Sequence, residues 1–195
     1  MEFLKNYKLE GDFLKIYTYP SSILKKIANP VENFDEELLT LCKNMLFTMY
    51  KAPGIGLAAP QVGLSMRMFV MDSDFTRKKK TKADGSVEYE YMDLNPQVFI
   101  NPVFKKMSGE ILFEEGCLSI PGVYEKVKRY NAVTIEYFDL VGQRHTLKAS
   151  ESLSVCLQHE NDHLDGIIFL ERLSMLKKNM LTKKFLKDKK KQRNN

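Results

Sequence analysis

The sequence predicts an α+β fold. Helical periodicity lies toward the two ends, apolar runs rich in β-branched and aromatic residues lie in the middle, and two of those runs are joined in a hairpin pattern. At 195 residues the chain has the size of one domain with a substantial core. Asn33 is placed to cap a helix, and Glu36, three residues on, completes a capping box. Leu38, Leu41, Cys42, Met45, Leu46 and Met49 then recur at helical spacing. An amphipathic helix is therefore expected over 34–51, stopped by Pro53 and Gly54. MRMFVMD (66–72) and QVFIN (97–101) read as strands, and 132–149 as a hairpin turning at Val141-Gly142. The stretch from 73 to 95 is charged and rich in turn formers, so a surface insertion is expected there. A second helix is expected from Glu151 to Gly166. A third is expected from Ser174 onward, with Leu176, Met180 and Phe185 on its apolar side. The division implied is a main domain over 1–173 and a basic C-terminal helix or tail over 174–195.

Composition excludes several classes. With 44% hydrophobic and 28% charged residues, the chain matches an ordinary globular protein. No apolar run is long enough to span a bilayer, so no membrane partner is expected. The first residues, MEFLKNYKLEGDF, scatter their charges and lack the apolar core of a secretory signal. Three cysteines, Cys42, Cys117 and Cys156, are too few for a disulfide framework, and the reducing cytoplasm is the expected compartment. The net charge of +5 is unevenly placed. Residues 177–193 hold nine Lys/Arg against one acid, Asp188, a balance of +8, which leaves 21 basic and 24 acidic residues, or −3, elsewhere. Such a tail is either a solvated terminus or a contact for a polyanion such as RNA.

The chemistry begins at LQHENDHLDG (157–166), which contains His159-Glu160-Asn161-Asp162-His163. Residues four apart share a helix face, so His159 and His163 are placed to grip one metal ion with Glu160 beside them as general base. A catalytic site of this kind takes three protein ligands and keeps a position open. The metzincin pattern fails because Phe169 occupies its last histidine position. The only glutamate after the motif is Glu171, too close to be a downstream ligand of the thermolysin kind. His145 reads as a strand-edge residue and Cys42 as a core residue. Cys156 shares the helix face, but it lies about 10.5 Å along the axis from His163 at 1.5 Å per residue. A cysteine reaches a metal only about 3–3.5 Å from its Cβ. Cys156 is expected to pack beside the site, and Cys117, in the turn-rich EEGCLSIPG, is expected to be the third ligand.

Three segments, GIGLAAPQVG (54–63), EGCLS (115–119) and QHENDHLDG (158–166), together resemble the peptide deformylases in order and spacing. The resemblance runs from about Tyr19 to Leu173. It implies an α+β domain with antiparallel sheets around a central H-E-x-x-H helix, and removal of the formyl group from N-terminal formylmethionine. It implies a metal on Cys117, His159 and His163, Fe²⁺ physiologically with Zn²⁺, Ni²⁺ or Co²⁺ as substitutes. Ligand chemistry alone suggests zinc. Glu160 becomes the acid/base, Gln61 and the backbone N–H of Leu118 become oxyanion donors, and Gly56 lines the peptide groove. Ile55, Val155 and Cys156 are candidates for the apolar pocket of the methionine side chain. Glu115 and Asp162 are either supports of the metal ligands or structural ion-pair partners. N-formylmethionyl nascent chains are the expected partners, with ribosomal RNA a candidate for the basic tail of an expected monomer. A general metallopeptidase is the rival enzyme, and a closed metal site in an RNA-binding module is the rival outside enzymes.

Overall fold

The computed structural model describes residues 2–82 and 84–193. The elements in order are α1 (Glu2–Lys5), α2 (Glu36–Lys51), β1 (Gly56–Ala58), β2 (Met68–Met71), β3 (Thr76–Thr81), β4 (Val87–Met92), β5 (Gln97–Ser108), β6 (Ile111–Cys117), β7 (Ile120–Arg129), β8 (Ala132–Phe138), β9 (Arg144–Ser150), α3 (Glu151–Leu164) and α4 (Met175–Arg193). Five strands form an antiparallel sheet in the order β1-β2-β5-β8-β9, and β3-β4 and β6-β7 form separate hairpins.

Both faces of the large sheet are covered at β1, β2 and the first half of β5, which explains why β2 and the start of β5 read as continuous apolar runs. Side chains alternate along a strand. Met68, Val70, Val98 and Ile100 meet the apolar seam of α2 (Leu38, Cys42, Met45, Leu46, Met49). Phe69, Met71 and Phe99 meet α3 through Cys156, Leu157 and Leu164, and the Phe69 and Phe99 rings stack at 4.8 Å. A third cluster joins β7 (Ile120, Val123, Val127) to Ile168, Phe169, Leu170 and to Phe185 of α4. α3 thus lies between the sheet and the β6-β7 hairpin, and every residue from Ser154 to Leu164 is buried.

Four expectations need correction. The cap of α2 is Asp35, whose side chain accepts from the Leu38 N–H at 3.0 Å, so Asn33 lies outside the helix. The segment 73–95 lies on the surface as expected, but as a paired hairpin with six residues in each strand rather than a string of turns. β6 and β7 were not read as strands, because alternation is broken by EEG and PG. On α4 the expected apolar side does not form one buried stripe. Phe185 is 6% exposed, whereas Leu176 is 80% and Met180 58% exposed. α3 ends where expected, and Gly166 is required there. Its φ is +70°, and a Cβ would come within 2.6 Å of the Lys25 carbonyl oxygen.

Candidate active site

The sequence SVCLQHENDHL has no wide apolar stripe, yet α3 buries all of it. Burying that many polar groups is costly unless each finds a partner, so the partners define the site. His159 and His163 are one turn apart with ring centroids 5.1 Å from each other. Cys117 ends β6 and closes on Ile120 through the two-residue turn Leu118-Ser119, which delivers its sulfur to the helix. Cys117 Sγ lies 3.2 Å from His163 Nε2. One ligand atom from each of Cys117, His159 and His163 falls within 4.8 Å of the other two. The structure therefore brings together the three residues singled out as ligands. Cys156, though buried, is not among them.

The surrounding polar groups hold these candidate ligands in orientation. His159 Nδ1 bonds Glu115 Oε2 at 2.7 Å, which directs Nε2 to the other side of the ring. Arg129 Nε and Nη2 donate to the two Glu115 oxygens at 2.6 and 2.9 Å, and its Nη1 donates to Asp162 Oδ2 at 2.6 Å. Arg172 also donates to Asp162. Burial disfavours a charge on His159, but the bonds to Cys117 and Glu115 outweigh it and hold its pKa well above the usual 6.5. Burial, with His159 and Arg129 nearby, pushes His163 well below that value, so its ring is neutral and offers a lone pair. One sulfur and two imidazoles within 4.8 Å of one another are a donor set that fits a divalent cation.

Glu160 faces β1 across Gly56. A Cβ on Gly56 would lie 2.7 Å from the Glu160 carboxyl carbon, so the strand reaches the carboxylate only because this residue is glycine. Burial is the main reason its pKa rises to about 7, with His159 opposing and Glu115 assisting. Its Oε2 has no hydrogen-bond partner among the described residues, and neither has His163 Nδ1. Gln61 lies in a short 3₁₀ turn, Ala59–Val62. Its Oε1 accepts from the Ala58 N–H at 2.8 Å, and its Nε2 donates to Ser119 Oγ at 3.2 Å and to Cys117 Sγ at 3.5 Å. The Ser119 N–H also donates to that sulfur at 3.4 Å.

These groups open into a cleft of about 450 Å³ whose walls include Ile55, Gly56, Gln61, Leu118, Val155, Cys156, His159 and Glu160. All the residues singled out as pocket candidates thus reach it, with Ile55 on the exposed rim. Sequence reading missed Arg129, Ser119 and the rim aromatics Phe113 and Tyr124. Arg129 carried a signal: it lies two residues after buried Val127 and so faces inward on the same strand. Glu115 and Asp162, left open between two roles, prove to be ion-pair partners of one arginine, and Glu115 also orients His159.

Residues 13–179 match the family model described as polypeptide deformylase. The peptide deformylase of Pelagibacter ubique is 42% identical over 173 residues, covering 88% of this chain and 92% of that one. A crystal structure of a peptide deformylase from Legionella pneumophila superposes with a TM-score of 0.80 at 40% identity, covering 94% of this chain and 99% of that one. A Synechococcus elongatus peptide deformylase, solved in complex with actinonin, gives 0.74 at 36% identity over 88% and 85% of the two chains. With the family model, the near-full-length relatives and the fold in agreement, the chain belongs to the polypeptide deformylase family.

Proposed function

We propose that this chain hydrolyses the formyl group from the N-terminal formylmethionine of newly made polypeptides, releasing formate, with one divalent ion held by Cys117, His159 and His163. Deformylation of such peptides is the activity of the family. The observation that carries the assignment of residues is the approach of one thiol and two imidazoles, from β6 and α3, to within 4.8 Å of one another beside a cleft lined by Cys117, His159 and Glu160. Three protein ligands leave a position for water, which a closed structural site would not. Two imidazoles and a thiolate suit iron and zinc, and also nickel or cobalt. Fe²⁺ is the ion assigned here, with the others as substitutes.

A bound divalent ion polarises a water molecule and lowers its pKa toward neutrality. Glu160, itself near neutrality, accepts the proton given up by the water and returns it to the leaving amine. Gln61 Nε2 and the Leu118 N–H are the donors for the formyl oxygen as negative charge builds there. The bond from Ala58 to Gln61 Oε1 fixes which end of that amide faces the reaction. Gly56 and Ile55 border the groove for the peptide backbone, and Val155 and Cys156 receive the methionine side chain. Cys117→Ala, His159→Ala and His163→Ala should each lose metal and turnover together, while Cys156→Ala keeps its metal. Formylated and unblocked peptides run side by side separate this reading from a general metallopeptidase. Removal of metal by Cys156→Ala but not by Cys117→Ala would overturn the ligand assignment.

A second reading concerns α4. Phe185 packs near Tyr19, with ring centroids 6.4 Å apart, and Lys189 donates to Thr18 Oγ1 and the Tyr19 carbonyl at 2.6 Å. One face of the helix is thereby tied to the body. The opposite face carries exposed Leu176 and Met180, then Lys183, Lys187 and Lys190 at intervals of three to four residues, with Lys191 beside the last. That face suits ribosomal RNA, where the chain would meet its nascent substrates. The unpaired thiols fit a reducing cytoplasm, and no helix is long and apolar enough to cross a membrane. Changing those four lysines to Gln should weaken ribosome co-sedimentation and its salt dependence while short-peptide turnover survives. Undiminished sedimentation would remove α4 as an anchor.

A further inference from the structure

The hairpin β3-β4 takes no part in the site chemistry, and its two faces differ in charge. Directly opposed residues of an antiparallel pair share a face. The register Arg77↔Tyr91, Lys79↔Tyr89, Thr81↔Val87 defines one face, and Lys78↔Glu90, Lys80↔Glu88 the other. The second face neutralises itself: two lysines oppose two glutamates, and Lys80 pairs with Glu90 at 2.9 Å. The first has Arg77 and Lys79, two tyrosines and no carboxylate. The Arg77 guanidinium carbon lies 4.8 Å from the Tyr89 ring centroid. Lys51, at the end of α2, adds a third cation 5.4 Å from the Tyr91 ring.

This face is held firmly. The Phe75 and Tyr91 rings pack on buried Tyr50 at 5.0 and 6.1 Å. The buried Asp72 carboxylate accepts the N–H of Asp74 at 2.9 Å and of Asn95 at 2.7 Å, clamping both ends of the segment, and accepts the Tyr50 hydroxyl at 2.5 Å. The Asp72 N–H in turn donates to the Ile55 carbonyl at 2.9 Å, so the hairpin root is bonded to the rim of the active-site cleft.

Beyond the Tyr91 root, a hairpin that served only for solubility would gain nothing by sorting its charges, since those residues are exposed on both faces. Sorting that leaves cations interleaved with a half-exposed aromatic ring matches the groups that hold a single nucleic-acid strand. We propose that the Arg77–Lys79–Tyr89 face, extended by Lys51, binds a single-stranded segment of RNA beside the cleft mouth. The cations meet phosphates and a base stacks on Tyr89. Charge alone would equally suit an acidic polypeptide; the exposed ring favours RNA, because every base offers a π-face. The proposal does not depend on α4 or on the ligand assignment.

The test measures binding of the full chain to a short unstructured RNA oligonucleotide, and to polyglutamate, across a salt series. The four α4 lysines named above are changed to Gln throughout so that they do not mask the effect. Arg77→Gln with Lys79→Gln should weaken RNA binding about tenfold or more and reduce the log–log salt slope by about 1.4, at about 0.7 per phosphate contact. Lys78→Gln with Lys80→Gln, the same charge change on the other face, should leave affinity within about twofold. Tyr89→Leu should weaken binding about fivefold or more with the slope unchanged. All variants should turn over a short formylated peptide as the parent does, which verifies their folding. Equal losses from the two faces would reduce the effect to diffuse charge and overturn the proposal. Polyglutamate bound as tightly as RNA, with Tyr89→Leu silent, would overturn it in favour of an acidic polypeptide.

Discussion

Arg129→Met tests how the ligands are held. The Arg129 side chain is 3% exposed, and those of its partners Glu115 and Asp162 are 4% and 7% exposed. Methionine keeps most of the volume but leaves two buried carboxylates without their shared cation. Breaking a buried ion pair on one side costs about 3–5 kcal/mol. For a chain of this size each kcal/mol moves the melting temperature by about 2–4 °C, so a drop of about 6–20 °C is expected. Adding Glu115→Gln and Asp162→Asn removes the stranded charges and should restore much of that stability. It should not restore metal retention, because His159 Nδ1 would still lack its charged acceptor. Loss of such a partner costs about 10–100-fold in metal affinity.

Thermal unfolding measured alongside metal content separates the two effects, and pH gives a further check. Burial alone would raise the Glu115 pKa, but the Arg129 and His159 bonds reverse the sign and hold it below its usual 4.5. A carboxylate with a depressed folded pKa contributes stability that is fully present above the unfolded value and lost as pH falls through the folded one. The gap between parent and Arg129→Met should therefore be widest at neutral pH and close in acid below 4.5. An Arg129→Met protein that melts with the parent at neutral pH, or a gap that widens in acid, would refute the account of a charge-linked network.

Glu160→Gln keeps the size of the side chain and removes its proton acceptor. It should retain metal while turnover of formyl-methionyl peptides falls about a hundredfold or more, and a metal-replete variant with parental turnover would remove Glu160 from the mechanism. Gly56→Ala should displace either β1 or the Glu160 carboxylate, since the added carbon meets that side chain at 2.7 and 2.8 Å. A displacement of that order costs about a hundredfold in rate with metal content unchanged, and parental turnover would show that the contact relaxes at no cost. Phe185→Ala should free α4 from Tyr19 without unfolding the domain, read as faster proteolysis beyond Leu173 with short-peptide turnover preserved. Unchanged proteolysis would mean that Lys189 alone holds the helix.

Legibility in the sequence followed the range of the interactions. α2 was visible because its seam is periodic and its partner is a plain apolar sheet, although the cap was misplaced by two residues. Both Asn33 and Asp35 are competent caps, and only the bond from Leu38 to Asp35 chooses between them. The large sheet was visible as apolar runs. The β3-β4 hairpin was not, because none of its residues is buried enough to imprint an apolar alternation. Its pairing rests on backbone bonds and on the clamp at Asp72, a residue whose neighbours Asp74 and Asn95 cannot be paired by reading along the chain. On α4, helical spacing placed Leu176, Met180 and Phe185 together, but of these three the body beneath the helix buries only Phe185.

The site was legible for a different reason. Its ligands belong to short motifs, and a helix spaces His159 and His163 whatever the rest of the fold does. Cys117 was reached by elimination, since no local rule ties it to residues 42 and 46 positions further on. Arg129 escaped that logic. It lies outside every motif, in a stretch of alternating lysines where one more cation looks like solvent-facing charge. Yet it is the residue that lets Glu115 remain ionised in the interior, and Glu115 fixes the ring of His159. The motif names the candidate ligand atoms, and an arginine on a neighbouring strand sets the orientation of one of them through Glu115. A substitution at Arg129 is therefore expected to fail at metal retention before it touches any group in contact with substrate.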